Sequence, residues 1–246
     1  MPASLEAVRA RIAAAARLCV LTGAGMSAES GIPTFRDAMT GLWSRFDPER
    51  LASEEGFRAD PGRVWDWYEE RRDGVRLAEP HAGHRALAAF AARRPGVLTL
   101  VTQNVDDLHQ RAGNVDAIRL HGDILADRWL EPCRCRPARA PEQATRARPP
   151  RCPGCGVLAR PGVVWFGEFL PEAALAAAQQ AASACDVMLV VGTSGAVWPA
   201  AGLAGRARTR GAYVAIVNPN ESDIDAEAHA VLRGTAATLL PRLLLH

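Results

Sequence analysis

Four short apolar runs, at residues 18–21, 97–101, 187–191 and 213–217, each break off into a polar or glycine-rich turn, and that repetition narrows the possible folds sharply. The turns read Thr22-Gly23-Ala24-Gly25, Thr102-Gln103-Asn104, Gly192-Thr193-Ser194 and Asn218-Pro219-Asn220. Runs of this length without polar alternation belong to strands covered on both faces, as in parallel sheets. Alanine-rich stretches of helical spacing separate them, at residues 84–93, 172–184 and 199–208. Strands alternating with helices predict a doubly wound α/β fold. Ligands of such sheets bind beyond the carboxyl ends of the strands. Four turns on that edge therefore predict one composite site.

Composition removes several functions. All 29 basic residues are arginine, so a P-loop lysine, a Schiff-base lysine and a catalytic lysine are excluded. Net charge is +2, and no basic run is interleaved with aromatics, which argues against a nucleic-acid partner. No stretch reaches the roughly 20 apolar residues that cross a bilayer. Leu5, Val8, Ile12 and Ala16, with Glu6, Arg9 and Arg11 between them, predict an amphipathic helix and not a signal peptide. A cytoplasmic protein without a membrane partner is the expectation.

Four of the six cysteines fall between Cys133 and Cys155, a clustering that favours metal over a disulfide framework. Cys152-Pro153-Gly154-Cys155 is half of a zinc knuckle, and Cys133-Arg134-Cys135 supplies the other half at closer spacing. Four thiolates leave no open position, so the expected zinc is structural. Cys19 and Cys185 are expected in the core. The segment Gly23-Ala24-Gly25-Met26-Ser27-Ala28 follows a strand and reads either as a dinucleotide fingerprint with alanine in its third glycine position or as an ordinary strand-to-helix turn. Ile32-Pro33-Thr34-Phe35-Arg36-Asp37 is loop-like where a dehydrogenase would place a second strand, which disfavours hydride transfer.

Longer motifs go further. Gly23-Ala24-Gly25-Met26-Ser27-Ala28-Glu29-Ser30-Gly31-Ile32-Pro33-Thr34-Phe35-Arg36 resembles the signature of the sirtuin family. So do Thr102-Gln103-Asn104-Val105-Asp106-Asp107-Leu108-His109, Leu120-His121-Gly122, Phe166-Gly167-Glu168 and Gly192-Thr193-Ser194, in that order and continuing to Asn218. The resemblance implies an NAD-consuming deacylase acting on acylated lysines of other proteins. In such enzymes the acyl oxygen attacks the nicotinamide-bearing ribose carbon of NAD, a histidine takes a ribose proton, and water completes the release of lysine and O-acyl-ADP-ribose. His121 matches that histidine, and imidazole titrates where a base works at neutral pH. Gln103, Asn104 and Asp106 match the residues that hold the ribose and the nicotinamide amide, with Asn104 and Asp106 joining His121 in the catalytic set. Gly23, Ala24, Gly25, Ser27 and Glu29 match the remainder of the cofactor loop, and Phe35 and Arg36 match the segment that closes over the cofactor. Thr193, Ser194 and Asn218 match contacts on the adenosine side, and Gly192, Asn220 and Ala236 are further cofactor contacts that the resemblance implies.

The same resemblance implies a Rossmann-like NAD-binding domain in three parts, residues 1–37, 81–126 and 161–246. A smaller domain would be made from a helical insert at 38–80, which holds Trp43, Trp65 and Trp67, and the cysteine-bearing insert at 127–160. Val164, Phe166, Gly167 and Val197 are expected to bind the substrate peptide as an added strand, a mode that reads little side-chain identity. Tyr68 and Arg71, three apart on an expected helix, share a face. Taken alone, Arg71 is either a carboxylate clamp or one solvated charge among Glu69, Glu70, Arg72 and Asp73. The sirtuin branch that prefers succinyl and malonyl groups carries a tyrosine and an arginine at this spacing, and Ala38 fits its roomier pocket. A phenol beside an arginine fork suits a terminal carboxylate. The readings that compete with an acidic-acyl deacylase are a plain deacetylase, a protein ADP-ribosyltransferase and an NAD-sensing module without catalysis.

Overall fold

The protein is described from a computed structural model, which covers residues 4–34 and 47–245. Phe35, Arg36, Ala38 and Trp43 lie outside the described residues. Six parallel strands form one sheet in the order β3-β2-β1-β6-β7-β8. They are β1 (Leu18–Thr22), β2 (Leu98–Thr102), β3 (Ile118–Arg119), β6 (Val187–Val191), β7 (Tyr213–Val217) and β8 (Ala230–Leu232), while β4 (Gly122–Trp129) and β5 (Ala159–Val163) pair antiparallel elsewhere. The expected strand at 97–101 is therefore shifted by one residue. In the sheet register Thr102, Thr22, Val191 and Val217 stand abreast. The four turns consequently leave from one line across the sheet.

Alternation along each strand divides the core. Leu18, Val20, Leu100, Leu189 and Val217 face a layer containing Val8, Ile12, Leu87, Phe90, Leu240 and Leu243. These come from α1 (Leu5–Ala14), α5 (Ala82–Arg93) and α9 (Ala236–Leu244). Cys19, Leu21, Val101, Met188, Val190 and Ile216 face the other way, against Ala178, Ala182, Leu203 and Ala207. Those belong to α7 (Glu172–Ala184) and α8 (Gly202–Thr209). Cys19 and Cys185 are both in this second layer, as expected of free cysteines. Each fully buried Leu, Val or Ile stabilises the fold by about 1.5–3 kcal/mol through removal from water.

Three helical assignments need adjusting. Helix α1 ends before Ala16, α5 starts two residues earlier than expected because His81 caps it, and α8 starts at Gly202 instead of 199. The His81 side chain accepts from the Gly83 N–H at 2.9 Å.

A third cluster, with Leu51, Phe57, Val64, Trp67, Tyr68, Ile124, Val163 and Trp165, joins the β4–β5 pair to α2 (Pro48–Leu51), α3 (Glu54–Ala59) and α4 (Pro61–Leu77). Helix α4 starts where Asp60 accepts from the Arg63 N–H at 3.0 Å and Pro61 presets the first turn. Arg72 then fastens the helix to β4, donating to Asp127 at 2.6 Å and to Glu69 at 2.7 Å. The remaining short helix, α6 (Leu108–Arg111), follows β2. Among the described residues no helix is long and apolar enough to cross a membrane.

Candidate functional site

The turns beyond β1 and β6 touch backbone to backbone. The Gly25 N–H donates to the Gly192 carbonyl at 2.8 Å, and Gly23 N–H donates to Val191 at 3.0 Å. A side chain at Gly25 would sit 2.9 Å from the Gly192 Cα, and one at Gly23 would sit 2.7 Å from the Thr193 Cβ. Gly192 itself has φ +61°. Glycine is needed here so that the two strand ends can converge backbone to backbone.

Gln103, just past β2, donates through its amide to the Thr193 hydroxyl at 3.1 Å. Asn218 donates to the Thr193 carbonyl at 2.8 Å, so the turns after β2, β6 and β7 are cross-linked. Asn104 is buried and donates to the Ser27 hydroxyl at 3.0 Å, joining the turns after β1 and β2. Burial raises the Asp106 carboxyl, opposed by bonds from the Leu108 N–H and Ser27 and by the nearby Arg119 charge. Arg119 holds the loop that carries it, donating to the Val105 carbonyl at 2.8 Å and to the Asp106 carbonyl at 3.0 Å.

His121 Nδ1 lies 3.0 Å from the Gln103 carbonyl oxygen. A carbonyl only accepts, so Nδ1 carries the proton and the neutral ring keeps its lone pair on Nε2. Burial lowers the His121 pKa, partly offset by that backbone bond. The ring is thus neutral at ordinary pH with Nε2 able to take a proton. Its own carbonyl accepts from the Val164 N–H at 2.9 Å, so the histidine adjoins the segment that carries Phe166 and Gly167.

Phe166 and Val197 are exposed, whereas Trp165 between Val164 and Phe166 is buried. The Phe166 N–H donates to the Ala52 carbonyl at 2.9 Å. Tyr68 is buried and its hydroxyl accepts from Trp165 Nε1 at 3.0 Å, which leaves the phenolic proton to donate. The Arg71 guanidinium lies 4.7 Å from the centre of the Trp67 ring and 5.5 Å from that of Tyr68. Burial lowers the Arg71 pKa against the pull of Tyr68. Helix α4 therefore brings the phenol and the guanidinium together on one side.

Glu29 accepts from the Ala237 N–H at 2.9 Å, at the start of α9, and Ala236 is buried beside it. The Ser194 hydroxyl accepts from the Ala196 N–H at 3.4 Å within its own turn, and the Asn220 N–H donates to Asn218 at 3.3 Å. Arg160, Arg119 and Arg72, all bound to carbonyls or carboxylates, were not singled out by sequence; an arginine-rich chain gives no local sign of which guanidinium is buried.

The sulfur atoms of Cys133, Cys135, Cys152 and Cys155 all lie within 4.8 Å of one another. Three of their separations are 3.6, 3.7 and 3.6 Å. A tetrahedral zinc with Zn–S of about 2.3 Å needs sulfurs roughly 3.8 Å apart, so the four thiols fit zinc despite the close Cys133–Cys135 spacing. Backbone N–H groups bring Cys155 down to about 6, while a hydrogen bond with Cys152 pushes Cys135 up to about 12. Gly154 is required, since a Cβ there would fall 2.6 Å from the Cys135 sulfur.

Residues 23–199 match the Sir2 family. The chain is 55% identical to an NAD-dependent protein deacylase of Ralstonia nicotianae, covering 96% of this chain and 94% of that one. It is 50% identical to NAD-dependent protein deacylase 1 of Pseudomonas aeruginosa, covering 98% of each. Among solved structures, a Sir2 homologue in complex with NAD superposes with a TM-score of 0.87 at 44% identity, covering 98% of this chain and 93% of that one. Sir2Tm bound to a propionylated peptide superposes with a TM-score of 0.84 at 28% identity, covering 99% and 98%.

Proposed function

We propose, from the premise that the chain belongs to the Sir2 family and is an NAD-dependent protein deacylase, that His121 is its general base and that succinyl- and malonyl-lysine are its favoured substrates. The observation that carries the catalytic part is the bond from His121 Nδ1 to the Gln103 carbonyl, which fixes the lone pair on Nε2. NAD supplies an electrophilic ribose carbon and nicotinamide as leaving group. Nε2 receives a proton from a ribose hydroxyl, so that the oxygen can attack the bound acyl group. Asn104 and Asp106, buried and held by Ser27 and Arg119, orient the ribose and the carboxamide. Gly23, Ala24, Gly25 and Ser27 cradle the diphosphate, and Gly192, Thr193, Ser194, Asn218 and Asn220 hold the adenosine side.

The substrate peptide lies as a strand between Val164–Gly167 and Gly195–Val197, beside the catalytic histidine. Tyr68 and Arg71 take the terminal carboxylate of the acyl group. The available phenolic proton of Tyr68 and the half-buried Arg71 support this, because charge-assisted bonds there are shielded from water. Each such bond contributes about 1.5–3 kcal/mol, or roughly a ten- to hundredfold preference. The large domain is formed from residues 1–37, 81–126 and 161–246, the smaller from 38–80 and 127–160, with the substrates meeting between them.

The test compares nicotinamide release with acetyl-lysine and succinyl-lysine versions of one peptide, for the native enzyme and Arg71→Met. Preference for the succinyl peptide, lost selectively in Arg71→Met, is the expected result. Preference for acetyl-lysine that the substitution leaves alone would make the protein a plain deacetylase. ADP-ribosylated protein in place of acyl-ADP-ribose would point to ribosyl transfer instead.

A further inference from the structure

A cavity of about 370 Å3 opens on the outer side of the Gly195–Val197 segment, between α8 and the turn that follows β7. Its lining includes Trp198, Arg206, Asp223, Ile224 and Glu227. Trp198 is 74% exposed, yet the edge of its six-membered ring abuts α8, where a Cβ at Gly202 would come within 2.6 Å of it. A large indole held in place and offered to solvent is an unusual expense for a surface position. Ile224 is buried beneath and packs on Gly195, where a Cβ would meet it at 2.8 Å. The Asp223 N–H donates to the Ser194 carbonyl at 2.8 Å, so the acidic wall is fastened to the loop that continues into Gly195–Val197.

Neither the Asp223 nor the Glu227 carboxylate has an ion pair or hydrogen bond among the described residues. Arg206 lines the same cavity and makes no salt bridge to either acid among the described residues, so neither carboxylate is directly paired. An aromatic face, an apolar floor and two carboxylates suit a side chain with an aliphatic stem and a cationic head.

We propose that this cavity is a substrate subsite that receives a lysine or arginine side chain flanking the acyl-lysine. The inference rests on the reading that the peptide runs along Gly195–Val197, since Trp198 follows directly on that segment. The stem crosses the Trp198 face and the cation meets Asp223 and Glu227. Arg206 opposes it by like charge, and so tunes the preference.

The experiment measures kcat/KM for nicotinamide release with one acyl-lysine peptide in which Arg, Ala or Glu is placed in turn at each flanking position. At one position Arg is expected to exceed Ala by about tenfold through KM, with Glu the poorest. The Arg-to-Ala ratio at that position should collapse towards one in Asp223→Asn/Glu227→Gln and in Trp198→Ala, and should rise in Arg206→Gln. Val197→Asp tests the underlying docking and should raise KM for every peptide. If Val197→Asp raises KM throughout but no position shows a charge preference, the subsite is overturned while the docking stands. If Val197→Asp leaves KM unchanged, the docking reading falls first and the subsite with it.

Discussion

The Arg160 guanidinium lies face-on over the Trp165 indole, 3.2 Å from its ring centre, and grips Glu168 from the same position. The chain continues through the Trp165 Nε1–H to the Tyr68 hydroxyl at 3.0 Å. A buried cation thus fixes the loop bearing Phe166 and Gly167 to the Tyr68 side of α4. Replacing Arg160 with Met removes the cation and leaves Glu168, at 22% exposure, with Arg128 and the Trp165 N–H. Breaking such a pair costs about 3 kcal/mol. Urea unfolding at pH 7 should show that loss, and a loss under about 1 kcal/mol would mean the pair adds nothing beyond its packing.

Glu168 also makes stability depend on acidity. Burial pushes its carboxyl up, but the bond from Arg160, the Trp165 N–H and the charges of Arg160 and Arg128 outweigh this and hold it below the ordinary value. A carboxylate lowered on folding contributes its full stability above the unfolded value of about 4.3, and loses it as pH falls through the folded value. Between about pH 5 and 3 the native chain should therefore lose more stability than Glu168→Gln. Parallel pH curves for the two proteins would contradict the assignment.

For His121 the shift has the same direction but a different cause. Burial disfavours the imidazolium, so the ring is neutral down to a pH below the ordinary 6.5. The acid limb of kcat/KM should be centred below about 6.5, with a flat profile from about pH 7 to 8. His121→Ala should abolish turnover while NAD still binds, as followed by calorimetry. An acid limb above about 6.5 would assign the base to a different group or environment.

The cysteine cluster predicts a structural metal whose loss costs fold and not chemistry. Elemental analysis should find one zinc per chain, and Gly154→Ala should lower that content because its Cβ would strike the Cys135 sulfur at 2.6 Å. Stripping zinc with a chelator should lower the unfolding temperature. Full zinc content in Gly154→Ala would show that the loop can shift to make room.

What could be read in advance follows from how many independent constraints a segment carries. Strands covered on both faces leave unbroken apolar runs, so residues 187–191 and 213–217 matched β6 and β7 without adjustment. The strand-end turns are legible because glycine and amide residues recur where the apolar runs stop. Strand β3 has two residues and β8 three, too few for any periodicity to register. Strands β4 and β5 hold Gly122, Pro161 and Gly162 among charged residues, and their pairing is set by α4 and Arg72, far away in sequence. Helix α9 contains Pro241, a residue that argues against a helix, yet Leu239, Leu240, Leu243 and Leu244 bury enough surface to override it. The roles of Arg160 and Arg72 exist only in three dimensions.

The central strand also sets when this protein can begin to exist. Leu18 pairs with Leu98 on one side and with Val187 on the other, so the first strand made must wait for partners from the middle and the far end of the chain. Such long-range parallel pairing is slow, because loops must close before contacts repay them. A nascent chain still short of residue 187 can pair β1 with β2 and β3, but it has no β6 or β7 to complete the line of strand ends. A product cut short before β6 would carry only two of the four strand-end turns and an unpaired edge on β1, which makes it a target for proteolysis and not a weakened enzyme.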